Sequence, residues 1–417
     1  MFIIKTVKII DDENEILNVK LSNDDIGEFE FNNYTTLVLG ENGVGKSFLL
    51  KSLIDIFIFL KNYKIHKRKP KYQYDSFYIE YMINNTCYTV HRVSGSNVIV
   101  TRDSLVIEDK NFELPEKVLA IAFMVNDKFQ FSKENEDDMY VYHGVRTSTN
   151  STYTSSITRN ITSDLINSIE KDLYKQIAEV FSILNFDSKI EFECKMNKKT
   201  VRKTIDLNST KKYSFEDFNK FDLPTIYFYK NNRRISFDSC SSGEKHILFA
   251  YLGILSRIKD GTLILIDEPE ISLHPEWQIR YISTLNKLFN KYRNCCFVLA
   301  SHSHYFVSEL KARSSSIVVL RQSQMSGSLA HESEIIPYDT YSWSAENIIY
   351  NVFKVRTARN YYFESDLSDL INALEHFDGS LEKRDEIQKK INELKKFIFS
   401  TNDPLNNLLI EAEERIK

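Results

Sequence analysis

The sequence is short of glycine and proline, with 11 and 7 in 417 residues. Fibrous and proline-rich disordered chains are thereby excluded, and any cluster of glycine carries meaning. Cysteine is sparse and unpaired in pattern. Cys87, Cys194, Cys240, Cys295 and Cys296 form no C-x-x-C pair, and they read as small buried hydrophobes in a reducing compartment. Neither charge dominates. Against 54 Lys and Arg stand 58 Asp and Glu, a net charge of −4, which excludes a nonspecific nucleic-acid coat. No apolar run approaches the roughly 18 residues of a membrane span, and Met1-Phe2-Ile3-Ile4-Lys5 lacks the pattern of a signal peptide. The expected location is cytoplasmic, with no membrane partner.

A length of 417 residues suits two or three domains, or one large elaborated one. Thr36-Leu37-Val38-Leu39 ends the first segment as a buried strand, and apolar spacing from Ser47 predicts a helix to about Tyr63. Phe77–Met82, Tyr88–Val93 and Asn97–Thr101 read as an antiparallel meander, and Lys117–Val125 as another buried strand. Lys133–Asp138 reads as an acidic loop, residues 147–158 as a polar loop, and Ser163–Leu184 as helix. Tyr227–Ile235 folds around Asn231-Asn232 as a hairpin. After about Ser344 the pattern is helical. Ile387, Ile391, Leu394 and Ile398 form one stripe, and Asp403-Pro404 opens a last helix.

Three clusters carry chemistry. Gly40-Glu41-Asn42-Gly43-Val44-Gly45-Lys46-Ser47 fits G-x-x-x-x-G-K-[ST] between a predicted strand and a predicted helix. Bare backbone lets successive N–H groups converge on a β-phosphate, and the helix N-terminus adds partial positive charge. These eight residues are the expected nucleotide site, with Lys46 reaching the β and γ oxygens and Ser47 a magnesium ligand. Leu263-Ile264-Leu265-Ile266-Asp267-Glu268 is an apolar strand that delivers two acids to the carboxyl edge of a sheet. Asp267 is expected to hold magnesium through water, and Glu268 to act as general base. Cys240-Ser241-Ser242-Gly243-Glu244-Lys245 precedes an apolar-faced helix. Alone it is either an ordinary capping box, Ser241 with Glu244, or an anion site.

The order of these motifs, continued by Pro269-Glu270 and by Ser301-His302 after a further apolar strand, resembles ATP-binding-cassette (ABC-type) ATPases. More narrowly it resembles their soluble branch, the repair and chromosome-structure ATPases and the AAA_21, AAA_15 and overcoming-lysogenization-defect kinds. Glu268 to Pro275 is especially like the last of these. The resemblance implies an α/β P-loop ATPase head with a mixed β-sheet core flanked by helices and an antiparallel β subdomain, here with a helical/β insertion and a C-terminal helical tail. It implies ATP and Mg2+ as cofactors, and hydrolysis of ATP to ADP and phosphate. It further implies a homodimer or higher homo-oligomer in which Ser241 and Gly243 of one subunit meet the γ-phosphate held by Lys46 of the other. Ser272 to His274 would contact the second subunit, and His302 would be the switch histidine, so that Lys46, Glu268 and His302 form the catalytic set. Cys240 stands where the family has leucine. No Q-loop glutamine is evident, Asn126 and Gln130 being the two candidates.

The 193 residues from Ser47 to Cys240 exceed the interval of a transporter cassette and fall far short of a chromosome-structure arm. Tyr140-Val141-Tyr142-His143-Gly144-Val145-Arg146-Thr147, with Tyr341-Ser342-Trp343-Ser344 and Asn347-Ile348-Ile349, resembles ATPase subunits of anti-phage defence systems such as Septu. That implies a separate, HNH-type nuclease partner. No D-x-D follows His302, and Asp366 and Asp369 are spaced for a helix face, so nucleotide hydrolysis is the chemistry expected of this chain itself. The basic clusters Lys64–Lys71, Lys195–Lys203 and Arg233-Arg234 are solvated loops or contacts to a nucleic acid. Two further readings are a DNA repair or recombination ATPase acting directly on DNA, and an ATPase linked to a membrane transporter. The expected limits are 1–135 for the N-terminal part of the head, 136–224 for a largely helical insertion, 225–342 for the rest of the head, and 343–417 for a helical partner-binding region.

Overall fold

The structure, a computed structural model, describes all residues except 24–31, 66–70, 94–97, 108–109, 133–137, 147–152, 197–198, 210, 216–223, 312, 326–327, 338–339, 341–342, 344–347, 349–360, 398–403 and 417. Most of the acidic loop, the Asp403 cap, Ile398, most of the Tyr341–Ile349 motif and parts of the basic clusters Lys64–Lys71 and Lys195–Lys203 lie outside the described residues. Two compact units are present, Met1–Ile348 and Ile349–Lys417.

The strands are β1 (Ile3–Asp11), β2 (Asn14–Lys20), β3 (Tyr34–Leu39), β4 (Ser76–Ile83), β5 (Thr86–Val93), β6 (Val98–Arg102), β7 (Leu105–Ile107), β8 (Lys117–Ala122), β9 (Tyr140–Gly144), β10 (Lys189–Met196), β11 (Lys199–Asp206), β12 (Thr225–Lys230), β13 (Arg233–Ser236), β14 (Thr262–Asp267), β15 (Cys296–Ser301), β16 (Ser315–Met325) and β17 (Ser328–Ile335). The α-helices are α1 (Lys46–Ile65), α2 (Tyr153–Glu170), α3 (Tyr174–Ile183), α4 (Ser242–Leu255), α5 (Pro275–Phe289), α6 (Tyr361–Glu375), α7 (Leu381–Lys395) and α8 (Pro404–Arg415).

Among the described residues one 13-stranded mixed sheet runs in the order β7-β6-β5-β4-β1-β2-β17-β16-β3-β15-β14-β8-β9. Its half from β16 to β9 is parallel, and β3, β8, β9, β14 and β15 are buried at every position. That is why their sequences read as unbroken apolar runs rather than alternation. The other half, from β7 to β2, is the antiparallel meander, and its strands alternate buried and half-exposed positions. Against the sheet α1 buries Leu49, Leu50, Leu53, Ile54, Phe57 and Leu60, each contributing about 1.5–3 kcal/mol of apolar burial.

The stretch from 136 to 224 is less helical than its sequence suggests. β9 belongs to the head's own sheet, and β10 pairs with β11 and with β12, so a four-stranded sheet, β11-β10-β12-β13, straddles the expected boundary at 224/225. Alternating apolar residues in Ile190, Phe192 and Cys194, all buried, drive this pairing. The hairpin at Asn231-Asn232 forms as β12–β13, both asparagines having positive φ. The single helix expected over Ser163–Leu184 is two. Asp172 adopts φ 56 and breaks it, while α2 starts at Tyr153 inside the expected polar loop, anchored by buried Ile157, Ile161 and Leu165. Tertiary burial overrides the weak helix propensity of Thr and Ser there.

A buried polar cluster ties α2 to α4. Asp164, fully buried, accepts from the Arg257 guanidinium and from the Ser256 hydroxyl at 3.1 Å, with His143 Nε2 of β9 at 3.5 Å. In the second unit, Leu370, Leu374, Ile387, Ile391, Leu394, Leu409 and Ala412 make a small core among α6, α7 and α8. Among the described residues no helix is long and apolar enough to cross a membrane.

Candidate active site

Strand order assembles the site. β15 lies between β3 and β14, in registers that pair Ser301 with Leu39 and Ala300 with Asp267. At about 4.8 Å between strands, the loop after β3, Ser301-His302 after β15 and Asp267-Glu268 after β14 emerge side by side on one carboxyl edge.

Gly40–Gly45 forms the loop into α1. Gly43 and Gly45 take φ 83 and 97, a region closed to most side chains. A Cβ on Gly45 would also lie 2.7 Å from His331 Nδ1, because β17 presses that ring against the loop. Burial holds the His331 imidazole below its ordinary pKa, while a hydrogen bond with the Val44 backbone opposes this. Lys46 Nζ donates to the Gly40 and Glu41 carbonyls at 2.8 and 2.9 Å. Burial lowers its pKa, and Glu268, Glu270 and Asp267 pull it back. The lysine therefore stands at the meeting point of three carboxyl groups.

Asp267 is buried, and its Oδ1 has no hydrogen-bond partner among the described residues. Burial, then Glu268 and Glu270, push its pKa up to about 6, against a hydrogen bond from Ser47 and the charge of Lys46. A buried, orphaned carboxylate oxygen beside a hydroxyl is a donor set that suits a small hard cation completed by waters and phosphate oxygens. Glu268 is half-buried with φ 51, and its N–H donates to the Ala300 carbonyl at 2.9 Å. Strain of this kind gathers at functional turns.

The sequence did not single out Glu270. Buried behind the two acids, it accepts from the His302 N–H at 2.8 Å and lies 3.3 Å from His302 Nδ1. Burial holds its carboxyl above the ordinary range. The second acid of Glu-Pro-Glu was the available signal, but its partner is set by strand register.

Ser241 and Gly243 find other neighbours in this chain. The capping box is realised: Glu244 N–H donates to Ser241 Oγ at 3.2 Å, and Ser241 N–H donates to Glu244 Oε2 at 2.8 Å. A Cβ on Gly243 would lie 2.7 Å from the Trp277 ring and 3.1 Å from the Ser272 carbonyl, so the opening of α4 packs on the turn after β14. Ser272 and His274 are exposed there, and His274 caps α5. Gln130 donates to Asp55 Oδ1 at 2.7 Å. Asp55 stands nine residues beyond Lys46, about 13 Å along α1, so Gln130 is not at the phosphate loop in this state. Asn126 is exposed. The Tyr140–Arg146 motif holds this segment: Tyr140 Oη donates to the Gln130 carbonyl at 2.6 Å, Tyr142 Oη to Asp127 Oδ2 at 2.6 Å, and Arg146 pairs with Asp127 at 3.5 Å. Of the basic clusters, Arg202 and Arg234 are both engaged by Glu193, at 2.8 and 2.9 Å.

Asp267→Asn tests the electrostatics of the site. A pKa of about 6 against an ordinary 3.8 means that the folded state binds the extra proton between those values. Stability is then lost as pH rises through 6, by roughly 2–3 kcal/mol. The asparagine variant without nucleotide is expected to melt a few degrees higher at pH 7.5, with the gain shrinking towards pH 5. Thermal melts at the two pH values check this.

Residues 109–308 match the family described as "AAA domain, putative AbiEii toxin, Type IV TA system". The chain is 25% identical to Septu protein PtuA of Bacillus thuringiensis over 412 residues, covering 93% of this chain and 91% of that protein. It is 38% identical over 85 residues, 18% of this chain and 15% of the relative, to "Retron Ec83 probable ATPase" of Escherichia coli. Among solved structures, the SMC head domain from Thermotoga maritima overlaps 81% of this chain and 99% of that chain, with 11% identity and a TM-score of 0.39. The motif order and these sequence likenesses relate the chain to ABC-type ATPases of the Septu kind.

Proposed function

From this relationship we propose that the chain is an ATP-hydrolysing head that dimerises around two Mg-ATP and uses that closure to switch a separate effector, a nuclease in defence against phage. The observation that carries the reading is the single sheet edge on which Lys46, Asp267, Glu268 and the Glu270–His302 pair converge. The likeness to Septu protein PtuA along nearly the whole chain supports the defence role.

In this reading the backbone N–H groups of Gly43 to Ser47 cradle the β-phosphate, and Lys46 leaves its two carbonyl acceptors to meet the γ-phosphate. Ser47 and Asp267 would hold magnesium, which supplies charge neutralisation between the β and γ oxygens. Glu268 accepts the proton of the attacking water. His302, oriented by Glu270, faces the γ-phosphate side. Ser241, exposed and engaged in its own cap, and the buried Gly243 beside it serve the nucleotide of a second copy, so that γ-phosphate binding draws two heads together and hydrolysis releases them.

Lys46→Ala is expected to weaken ATP binding at least a hundredfold, since a charge-assisted phosphate contact worth about 3 kcal/mol is lost. Titration with a fluorescent ATP analogue measures it, and unchanged affinity would remove the phosphate-loop reading. Light scattering with and without Mg-ATP tests closure, where an unchanged mass would rule out the sandwich. Co-expression with the neighbouring open reading frames tests the effector, a co-purifying nuclease being the expected result and a membrane permease the contrary one.

A further inference from the structure

Ser242, Lys245, His246 and Phe249 share one face of α4, at spacings of three, four and seven residues, and that face lines a cavity of about 220 Å³. The walls are mainly apolar. Phe123 after β8, Ile157 of α2, Phe237 and Phe249 are all buried there, while the exposed Ser242 and Ser272 stand at the rim. Lys245 also lines the space, but its Nζ donates to the Asp238 carbonyl at 2.8 Å and lies 5.4 Å from the centre of the Phe237 ring. That cation therefore asks for no anion.

His246 is the group the cavity leaves unanswered. It is 6% exposed, and its ring stacks on Phe123 with centroids 3.6 Å apart. The ring hydrogen-bonds the backbone of Pro269, and since proline has no N–H the imidazole must be the donor. Nε2 has no partner among the described residues. Nδ1 is then the donor, and in the neutral ring Nε2 is a bare acceptor. Burial keeps the ring neutral, pushing its pKa down to about 3 against the bond to Pro269. A buried acceptor without a donor is costly. One water would answer it, but the aromatic and aliphatic walls give further waters nothing to bond. A donor carried on a flat apolar body meets both demands. Apolar cavities of roughly 150 Å³ already take benzene, and this one is larger.

We infer that this cavity binds an uncharged aromatic compound of one or two rings, through an N–H or O–H donor to His246 Nε2. The effect of binding passes through His246 to the Pro269 carbonyl, and so to the turn that holds Glu268 on one side and Glu270 on the other. A bound ring stiffens that turn. The inference goes beyond the ATPase reading and stands or falls without it, because both binding and stiffening are read in the absence of nucleotide.

The full chain without nucleotide is titrated calorimetrically with indole and with benzofuran, which has the same shape and no donor. Indole is expected to bind at least tenfold more tightly. His246→Leu removes the acceptor and should bring the two affinities to within about twofold of each other. Ile157→Trp, which fills the cavity from α2, should abolish binding of both. Amide hydrogen exchange over residues 268–273 should slow when indole is added to the parent chain. Failure of both compounds to bind, or binding retained by Ile157→Trp, overturns the site. Equal affinities in the parent chain, or an indole preference that survives His246→Leu, overturn the bond to His246, and unchanged exchange over 268–273 overturns the link to the turn.

Discussion

Glu268→Gln should cut ATP turnover by about 10²- to 10⁴-fold, the range a positioned general base contributes. The side chain stands one residue past Asp267 at the carboxyl end of β14, half-buried, in a turn with φ 51. Glutamine keeps the shape and the turn but cannot take a proton from water. ATP binding should therefore persist while hydrolysis stops, and the protein should accumulate as the ATP-closed dimer. Phosphate release measures the first effect and light scattering in ATP the second. Unchanged turnover would move the base to another group, and Glu270 is the alternative the structure offers. Its bond to the His302 N–H argues for orienting the histidine instead. Glu270→Gln should accordingly lower turnover less than Glu268→Gln does.

Asp164→Ala is expected to cost about 3–5 kcal/mol of stability, because it leaves the Arg257 guanidinium buried without its carboxylate. The melting point should fall by about 5–10 °C. Asp164 joins α2 to the end of α4 through Arg257, Ser256 and His143, so the loss should also loosen α2 from the head. Hydrogen exchange in Tyr153–Glu170 reports that loosening. Replacing the pair together, Asp164→Leu with Arg257→Met, should recover most of the stability, since removing both charges also removes their desolvation. A double variant as unstable as Asp164→Ala would show that packing, and not the uncompensated charge, sets the cost.

The parts of the site that were legible in the sequence are those whose chemistry is contiguous. A phosphate loop needs bare backbone and a lysine at fixed offsets, so Gly40, Gly43, Gly45 and Lys46 announce it. Asp267 and Glu268 announce themselves because a strand buried on both faces must be apolar until it reaches the edge. Residues that act across the sheet were not legible. His331 lies 286 positions from Gly45 in the chain, and only the pairing of β17 with β16, and of β16 with β3, brings it to the loop. Gln130 reads as a phosphate-sensing candidate from its place after β8, yet its amide is bound to Asp55. The break at Asp172 and the early start of α2 were hidden because both depend on what Ile157 and Ile161 pack against.

By itself, then, the sequence determined the local chemistry: a glycine loop able to hold phosphate, an acidic strand end, a capped helix at Ser241, and apolar runs for a parallel core. Local backbone geometry and hydrophobic period suffice for these. Tertiary structure alone decided that β15 lies between β3 and β14, that His302 is oriented by Glu270, and that His246 lines a cavity beside α4. Strand order is a property of burial summed over the whole sheet, and no segment of sequence encodes its neighbours in space.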